Sequence, residues 1–262
     1  MLLSTLFVNG ILIAAAFALP AAKGAWRSRR ASTTNGTSPR DSPGLGSGSR
    51  RSQPSIAGSA DLQFSTNWAG AVISEAPGFW KAVTSSFNVP QATPGGVAVW
   101  VGIDGNTCQQ AILQAGINAI DFNGQPTYQA WWEWFPNPET LVPLAVGPGH
   151  TMQVSVQANS LTTGLVTIEN LSTGQFVQEN VQGPVPLCLQ DAEWIVEDFE
   201  ENGGLVPFAN FGTVTFSGAA AITNAGGTAI PGGEANVLDI EQNGAVLTSV
   251  LVDGVTVVVS HT

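Results

Sequence analysis

The sequence predicts an all-β domain, two antiparallel sheets packed as a sandwich or jelly roll, on three observations. Short runs with period-2 alternation recur from about Phe64 onward, the spacing of strands with one buried face. Thirty Gly and 16 Pro divide the chain into pieces of strand length. A composition 44% hydrophobic and 10% charged supplies apolar material for one sizeable core. In order, the strand-like runs are "GGVAVWVGIDG" (95–105), "YQAWWEWFP" (128–136), "HTMQVSVQAN" (150–159), "GLVTIENLSTGQFVQENV" (164–181), "AEWIVEDFEE" (192–201), "FGTVTFSGAAAI" (211–222), "GAVLTSVLVDG" (244–254) and "VTVVVSHT" (255–262). Turn residues separate them at the spacing of a two-sheet fold. No stretch carries a helical stripe, and no fixed period repeats.

The chain ahead of this domain is different material. An apolar run ends in small residues with an A-x-A pattern at Ala16-Phe17-Ala18, which predicts a secretory signal over 1–18. Residues 19–60 are rich in Ser, Gly, Arg, Pro and Thr without periodicity, the composition of a disordered propeptide, and Arg50-Arg51 is a dibasic processing candidate. Residues 61–262 form the folded domain. Charge divides along the same line: residues 1–51 hold seven bases and one acid, whereas 52–262 hold 18 acids against Lys81 alone, a formal −17. Such a body repels itself when its carboxylates ionise, which suits acidic surroundings as well as plain solubility. It makes nucleic acid and anionic membrane poor partners.

Residue types exclude several chemistries. His150 lies in the turn "GPGH" and His261 is penultimate, poor material for a Ser-His-Asp triad or a zinc site. Cys108 and Cys188 are an even pair in a chain with a secretory signal, so a disulfide is expected in preference to two thiols, and thiol nucleophiles go with it. Asn170-Leu171-Ser172 is the one glycosylation sequon of the domain. No Gly-rich loop leads from strand to helix, so nucleotide binding lacks support. Carboxylates and amides remain.

Strand alternation puts Glu193, Ile195, Glu197 and Phe199 on one face, with Trp194, Val196, Asp198 and Glu200 on the other. The same reading groups Trp131, Glu133 and Phe135 opposite Trp132 and Trp134, aligns Trp100 with Gly102 and Asp104, and puts Gln114 beside Ile112 and Gln110. An aromatic face holding isolated carboxylates and a Gln is a recognisable site type, which would also suit a jelly-roll glycoside hydrolase or a lectin-like module using the aromatics alone. Glu193 and Glu197 are about 13 Å apart along one strand, too far for a glycosidase pair, whereas Glu197 with Glu133 is a cross-strand alternative.

Six ordered blocks, "NWAGAV" (67–72), "VWVGIDG" (99–105), "TCQQAILQAG" (107–116), "YQAWWEWFP", "ENLSTGQ" (169–175) and "AEWIVEDF" (192–199), resemble the signature blocks of the fungal glutamic peptidases, or eqolisins, over roughly three quarters of the chain. The resemblance implies a jelly-roll, concanavalin-like sandwich with a concave face for extended polypeptide. It implies a catalytic pair: Glu197 as general base and acid on water, and Gln114 as oxyanion donor. Trp68, Trp100, Asp104, Trp131, Glu133, Phe135 and Phe199 carry over as cleft residues, and the family's disulfide maps onto Cys108 and Cys188. Departures are Asn118 and Gln129 where the family commonly has Asp, and Phe135 where it has Tyr. No metal or cofactor is implied. Partners are a polypeptide substrate and, before maturation, the chain's own propeptide; the mature form is expected to be a secreted monomer acting in an acidic medium, with Asp104 and Glu133 tuning the base. Within the acid-rich strand "AEWIVEDFEE", Glu193 is expected at the rim or hydrogen-bonded as structure, and Glu200 and Glu201 as solvated charge.

Overall fold

The computed structural model describes residues 62–262, so the predicted signal, propeptide and processing site lie outside the described residues. In chain order the strands are β1 (Leu62–Ser65), β2 (Trp68–Ser74), β3 (Trp80–Asn88), β4 (Gly95–Ile103), β5 (Ile112–Asp121), β6 (Pro126–Phe135), β7 (Thr140–Val142), β8 (Thr151–Ala158), β9 (Thr163–Asn170), β10 (Gln175–Gln182) and β11 (Asp191–Glu197). They continue as β12 (Glu200–Glu201), β13 (Gly204–Leu205), β14 (Thr213–Thr223), β15 (Thr228–Ala229), β16 (Asn236–Gln242), β17 (Ala245–Val246), β18 (Thr248–Asp253) and β19 (Thr256–His261), with one four-residue helix, α1 (Pro231–Glu234), between β15 and β16. Among the described residues the predicted absence of long helices holds.

Two large sheets form the sandwich. The first runs β1-β16-β2-β11-β4-β5-β6-β7 with β17 paired to β16, and the second runs β10-β9-β8-β3-β14-β19-β18 with β15 paired to β14. Pairing within them is antiparallel except between β1 and β16. The core between the sheets takes every second residue of each strand: Ala69, Ala71 and Ile73 from β2, Val97, Val99, Val101 and Ile103 from β4, and Trp194 and Val196 from β11 pack against Val83, Phe87, Val154, Phe216 and Val259 of the second sheet. Trp80, Trp134 and Trp194 are fully buried there, so these three aromatics serve the core.

The other residues of the first sheet make a second apolar cluster on its opposite face, with Trp68, Trp100, Trp131, Ile195, Phe199 and Val206. That sheet is therefore apolar on both sides, which is why "WAGAV" and "VAVWVGI" read as nearly continuous hydrophobic runs. Close approach between strands demands glycine at Gly70: its φ is 149°, and a methyl there would lie 2.0 Å from the Trp194 carbonyl oxygen.

Cys108 and Cys188 form the expected disulfide, joining residues 80 apart. In the chain-entropy account a loop of this length is worth about 4.5 kcal/mol. The sequon is a different matter. Asn170 is wholly buried, its Nδ2 donating to the Ala145 carbonyl and to His150 Nδ1 (both 2.8 Å) while its Oδ1 accepts from Ser172 N at 3.0 Å. A sequon shows only residue order, whereas in the folded domain this amide is consumed in closing the β9–β10 turn against the β8 end.

Candidate active site

Strand register assembles the site in three rows across the outer face of the first sheet. In the first row Glu193 of β11 pairs with Gly102 of β4, Gly102 with Gln114 of β5, and Gln114 with Glu133 of β6. The second row is Ile195, Trp100, Gly116 and Trp131, and the third is Trp68, Glu197, Ala98, Asn118 and Gln129. Glu197 and Gln114 are thus one intervening strand and four residues of register apart, with Trp100 in the row between them.

The Trp100 indole links the two. Its Nε1 donates to Glu197 Oε2 at 2.8 Å. Its far ring edge lies over Gly102, 2.8 Å from where a Cβ would stand, and that Cβ position is 3.4 Å from Gln114 Cβ. Gly102 and Gly116 are the space the ring needs: a methyl on Gly116 would meet the Val99 carbonyl oxygen at 2.1 Å and Trp100 Cβ at 2.6 Å. Gly116→Ala is accordingly expected to lower Tm and activity together by displacing the indole from Glu197, at a cost of about 1–3 kcal/mol or more, read by thermal melts beside turnover.

Glu197, 1% exposed, accepts a second hydrogen bond from Asn67 Nδ2, 3.2 Å from Oε1. Asn67 is held by its surroundings: Ser65 Oγ accepts from the Asn67 and Trp68 backbone N–H groups, and the Asp198 N–H donates to the Asn67 carbonyl at 2.8 Å. This donor escaped the sequence reading, although it stands first in the block "NWAGAV". Gln114 is fully buried; its Nε2 donates to Glu133 Oε2, while its Oε1 has no hydrogen-bond partner. Trp68 meets Trp100 edge-on at 4.9 Å between ring centres, and its Nε1 is likewise without a partner. Phe199 covers Gly96, and Phe135 packs at the margin of the same cluster. Orphaned buried polar atoms on one sheet face are costly, about 1–3 kcal/mol each, and mark a surface prepared for hydrogen bonds with something else.

The remaining acids sort by their partners. Asp104 departs from its expected place in the cleft: at a left-handed φ of 67°, its carboxylate accepts from the backbone N–H groups of Cys188, Leu189, Gln190 and Asp191 at 2.7–3.3 Å. Asp191 returns the clamp onto Thr107 and Cys108 N–H at 2.7 and 3.1 Å. Both carboxylates tie down the loops that carry the disulfide, and alternation from β4 misled because the strand ends at Ile103. Among the described residues the one trio of possible metal ligands is Asp104, Cys108 and Cys188, whose sulfurs are bonded to each other. Burial, which outweighs the backbone hydrogen bonds, raises Asp104 to about 6. Glu193 lies buried in the first row and hydrogen-bonded, the second of the two places expected for it, and not at a rim. Its Oε1 accepts from Asn106 N at 3.1 Å, and burial, with repulsion from Asp191 and Asp104, holds it well above the ordinary carboxylate range. Asp198, facing away from Glu197, is raised to about 7 by burial despite the hydrogen bond from Gln242 Nε2 at 2.7 Å. Glu200 and Glu201 are half-buried in the β12–β13 pair, not free in solvent.

Known proteins share this chain's family and fold. Residues 66–261 match the family model "Peptidase A4 family". Aspergillopepsin-2 of Aspergillus niger is 36% identical across 98% of this chain and 99% of its own length. Among solved structures, a scytalido-glutamic peptidase bound to a peptide-based transition-state analog aligns with a TM-score of 0.68 at 35% identity, covering 75% of this chain and 98% of that one. SCP-B, described as a member of the eqolisin family in complex with the tripeptide Ala-Ile-His, aligns at 0.66 and 35% identity over the same shares. Fold and matches together define a glutamic-type peptidase, an enzyme that hydrolyses peptide bonds. The chain belongs to the peptidase A4, or eqolisin, family.

Proposed function

We propose that this protein is a secreted endopeptidase that cleaves unfolded polypeptide in an acidic medium, with Glu197 as general base and then general acid and Gln114 as oxyanion donor. One observation carries the assignment: Glu197 is a buried carboxylate with an N–H donor on each oxygen, joined through the Trp100 indole to the row that holds Gln114. Donors aimed at both oxygens hold the carboxylate in one orientation on the face. Glu197 takes a proton from water as the water oxygen bonds to the peptide carbonyl carbon. The carbonyl oxygen becomes an oxyanion, and the same proton passes to the leaving nitrogen as the C–N bond breaks.

Gln114 is oriented for its part by Glu133. One hydrogen of its Nε2 is committed to Glu133 Oε2, which leaves the other for the oxyanion, and its unpartnered Oε1 can accept from the attacking water. A donor of this kind is worth about 2.7–4 kcal/mol in the transition state, so Gln114→Ala is expected to lower kcat about 10²–10³-fold on unfolded haemoglobin near pH 4. Transition-state analog and tripeptide complexes of the related peptidases support an extended polypeptide substrate. Acting as a monomer, the mature enzyme is released when residues 1–60 are removed, and the basic propeptide is matched in charge to the acidic body. Incubation of wild type with haemoglobin and with a polysaccharide panel at acid pH tests the whole reading: new peptide amino groups support it, whereas reducing sugar or retention without cleavage overturns it.

A further inference from the structure

Between β6 and β7 the chain exposes Pro136, Asn137 and Pro138, yet turns the Glu139 carboxyl inward. There Asn118 Nδ2 donates to Glu139 Oε2 at 3.2 Å, while Asn118 Oδ1 accepts from Trp131 Nε1 at 2.8 Å. Asn118 is 2% exposed and stands in the row of Glu197 with only the methyl of Ala98 between them. A carboxyl, an amide and an indole therefore form a continuous chain on the side of the face opposite the base.

This chain is a poor device for stability. Glu139 Oε1 is buried without a hydrogen-bond partner, which costs about 1–3 kcal/mol, and the exposed loop beside it offers water at no such cost. Burial, opposed only by the Asn118 hydrogen bond, raises the carboxyl to about 7, so in acid it is neutral and brings no charge against the indole. What the chain does achieve is to immobilise Trp131, a member of the apolar cluster that also holds Trp68, Trp100 and Ile195. An indole held in one orientation on the face assigned to the substrate offers it fixed apolar area, which selects apolar and aromatic side chains.

We propose that Glu139 is a specificity-determining positioning residue: through Asn118 it locks the Trp131 indole, and so sets a substrate pocket for a large apolar side chain opposite Glu197. It governs substrate fit and takes no part in proton transfer. The inference rests on the assignment of this face as the peptidase site.

Two fluorogenic peptides that differ in one residue beside the cleaved bond, Phe against Ala, test it at pH 4. Wild type should favour Phe through KM. Glu139→Ala should raise KM for the Phe peptide about tenfold, leave the Ala peptide and both kcat values within about twofold, and so erase the preference. Glu139→Gln, which retains an acceptor for Asn118 and mimics the neutral acid, should restore it. An unchanged preference in Glu139→Ala overturns the proposal, as do equal losses on both peptides that follow a fall in Tm, no rescue by Gln, or no Phe preference in wild type. The underlying assignment is read separately, from Glu197→Gln on either peptide: cleavage that survives it brings down that assignment and this inference with it.

Discussion

Glu197→Gln is expected to reduce kcat on unfolded protein near pH 4 by about 10²–10⁴-fold, the usual contribution of a positioned acid–base group. The amide has nearly the volume of the carboxylate, so no cavity opens among Trp68, Trp100 and Phe199. It can accept from only one of the two donors: its NH₂ would face either Asn67 Nδ2 or Trp100 Nε1, leaving one buried N–H unsatisfied at about 1–3 kcal/mol. A modest fall in Tm is therefore part of the expected result, and the activity loss must far exceed what that fall accounts for. Activity within a few-fold of wild type, in a variant that still melts cooperatively, would remove Glu197 from the mechanism.

The second large effect is on stability. In the unfolded chain Asp and Glu titrate near about 3.9 and 4.3. Folding raises Asp104 to about 6 and Asp198 and Glu139 to about 7, and raises Glu193 well above its ordinary value, in each case because burial disfavours the charge. Between the unfolded and folded values the native state binds more protons, so the free energy of unfolding falls as pH rises, by up to about 1.4 kcal/mol per pH unit for each group. Stability from these groups is complete below about pH 4 and is lost as pH climbs through 6 to 7. Repulsion within an acidic body with one lysine acts in the same direction. We expect Tm to drop by on the order of 10 °C or more between pH 4 and pH 7, as measured by calorimetry. Asp198→Asn keeps an acceptor for Gln242 and should flatten the dependence. A Tm that is level or rising over this interval would mean that these carboxyls are not carrying protons in the folded state.

The site was partly legible because antiparallel sheets convert residue parity into a face. Glu197 beside Ile195 and Phe199, Glu133 beside Trp131, and Trp134 on the face opposite them all follow from alternation and recur in the folded domain, where that opposite face is the core. Parity fails where a strand stops. Asp104 lies one residue past β4 with a left-handed backbone, and its carboxylate went to four amides of another loop. Glu139 was invisible for the same reason, since a loop residue has no parity to read and its partner Asn118 is 21 residues away.

By itself the sequence determined the sandwich, the strand faces, the disulfide and the family to which the chain belongs. These depend on local period, composition and ordered motifs, all of which survive in one dimension. Only the tertiary structure decided which donors serve Glu197, that Trp100 rather than direct contact joins it to the row of Gln114, that Glu193 is buried and that Asn170 is consumed as an internal hydrogen-bonding residue. Those outcomes depend on pairing register and loop closure between residues roughly 20 to 130 positions apart, where a shift of one residue would send every side chain to the other face.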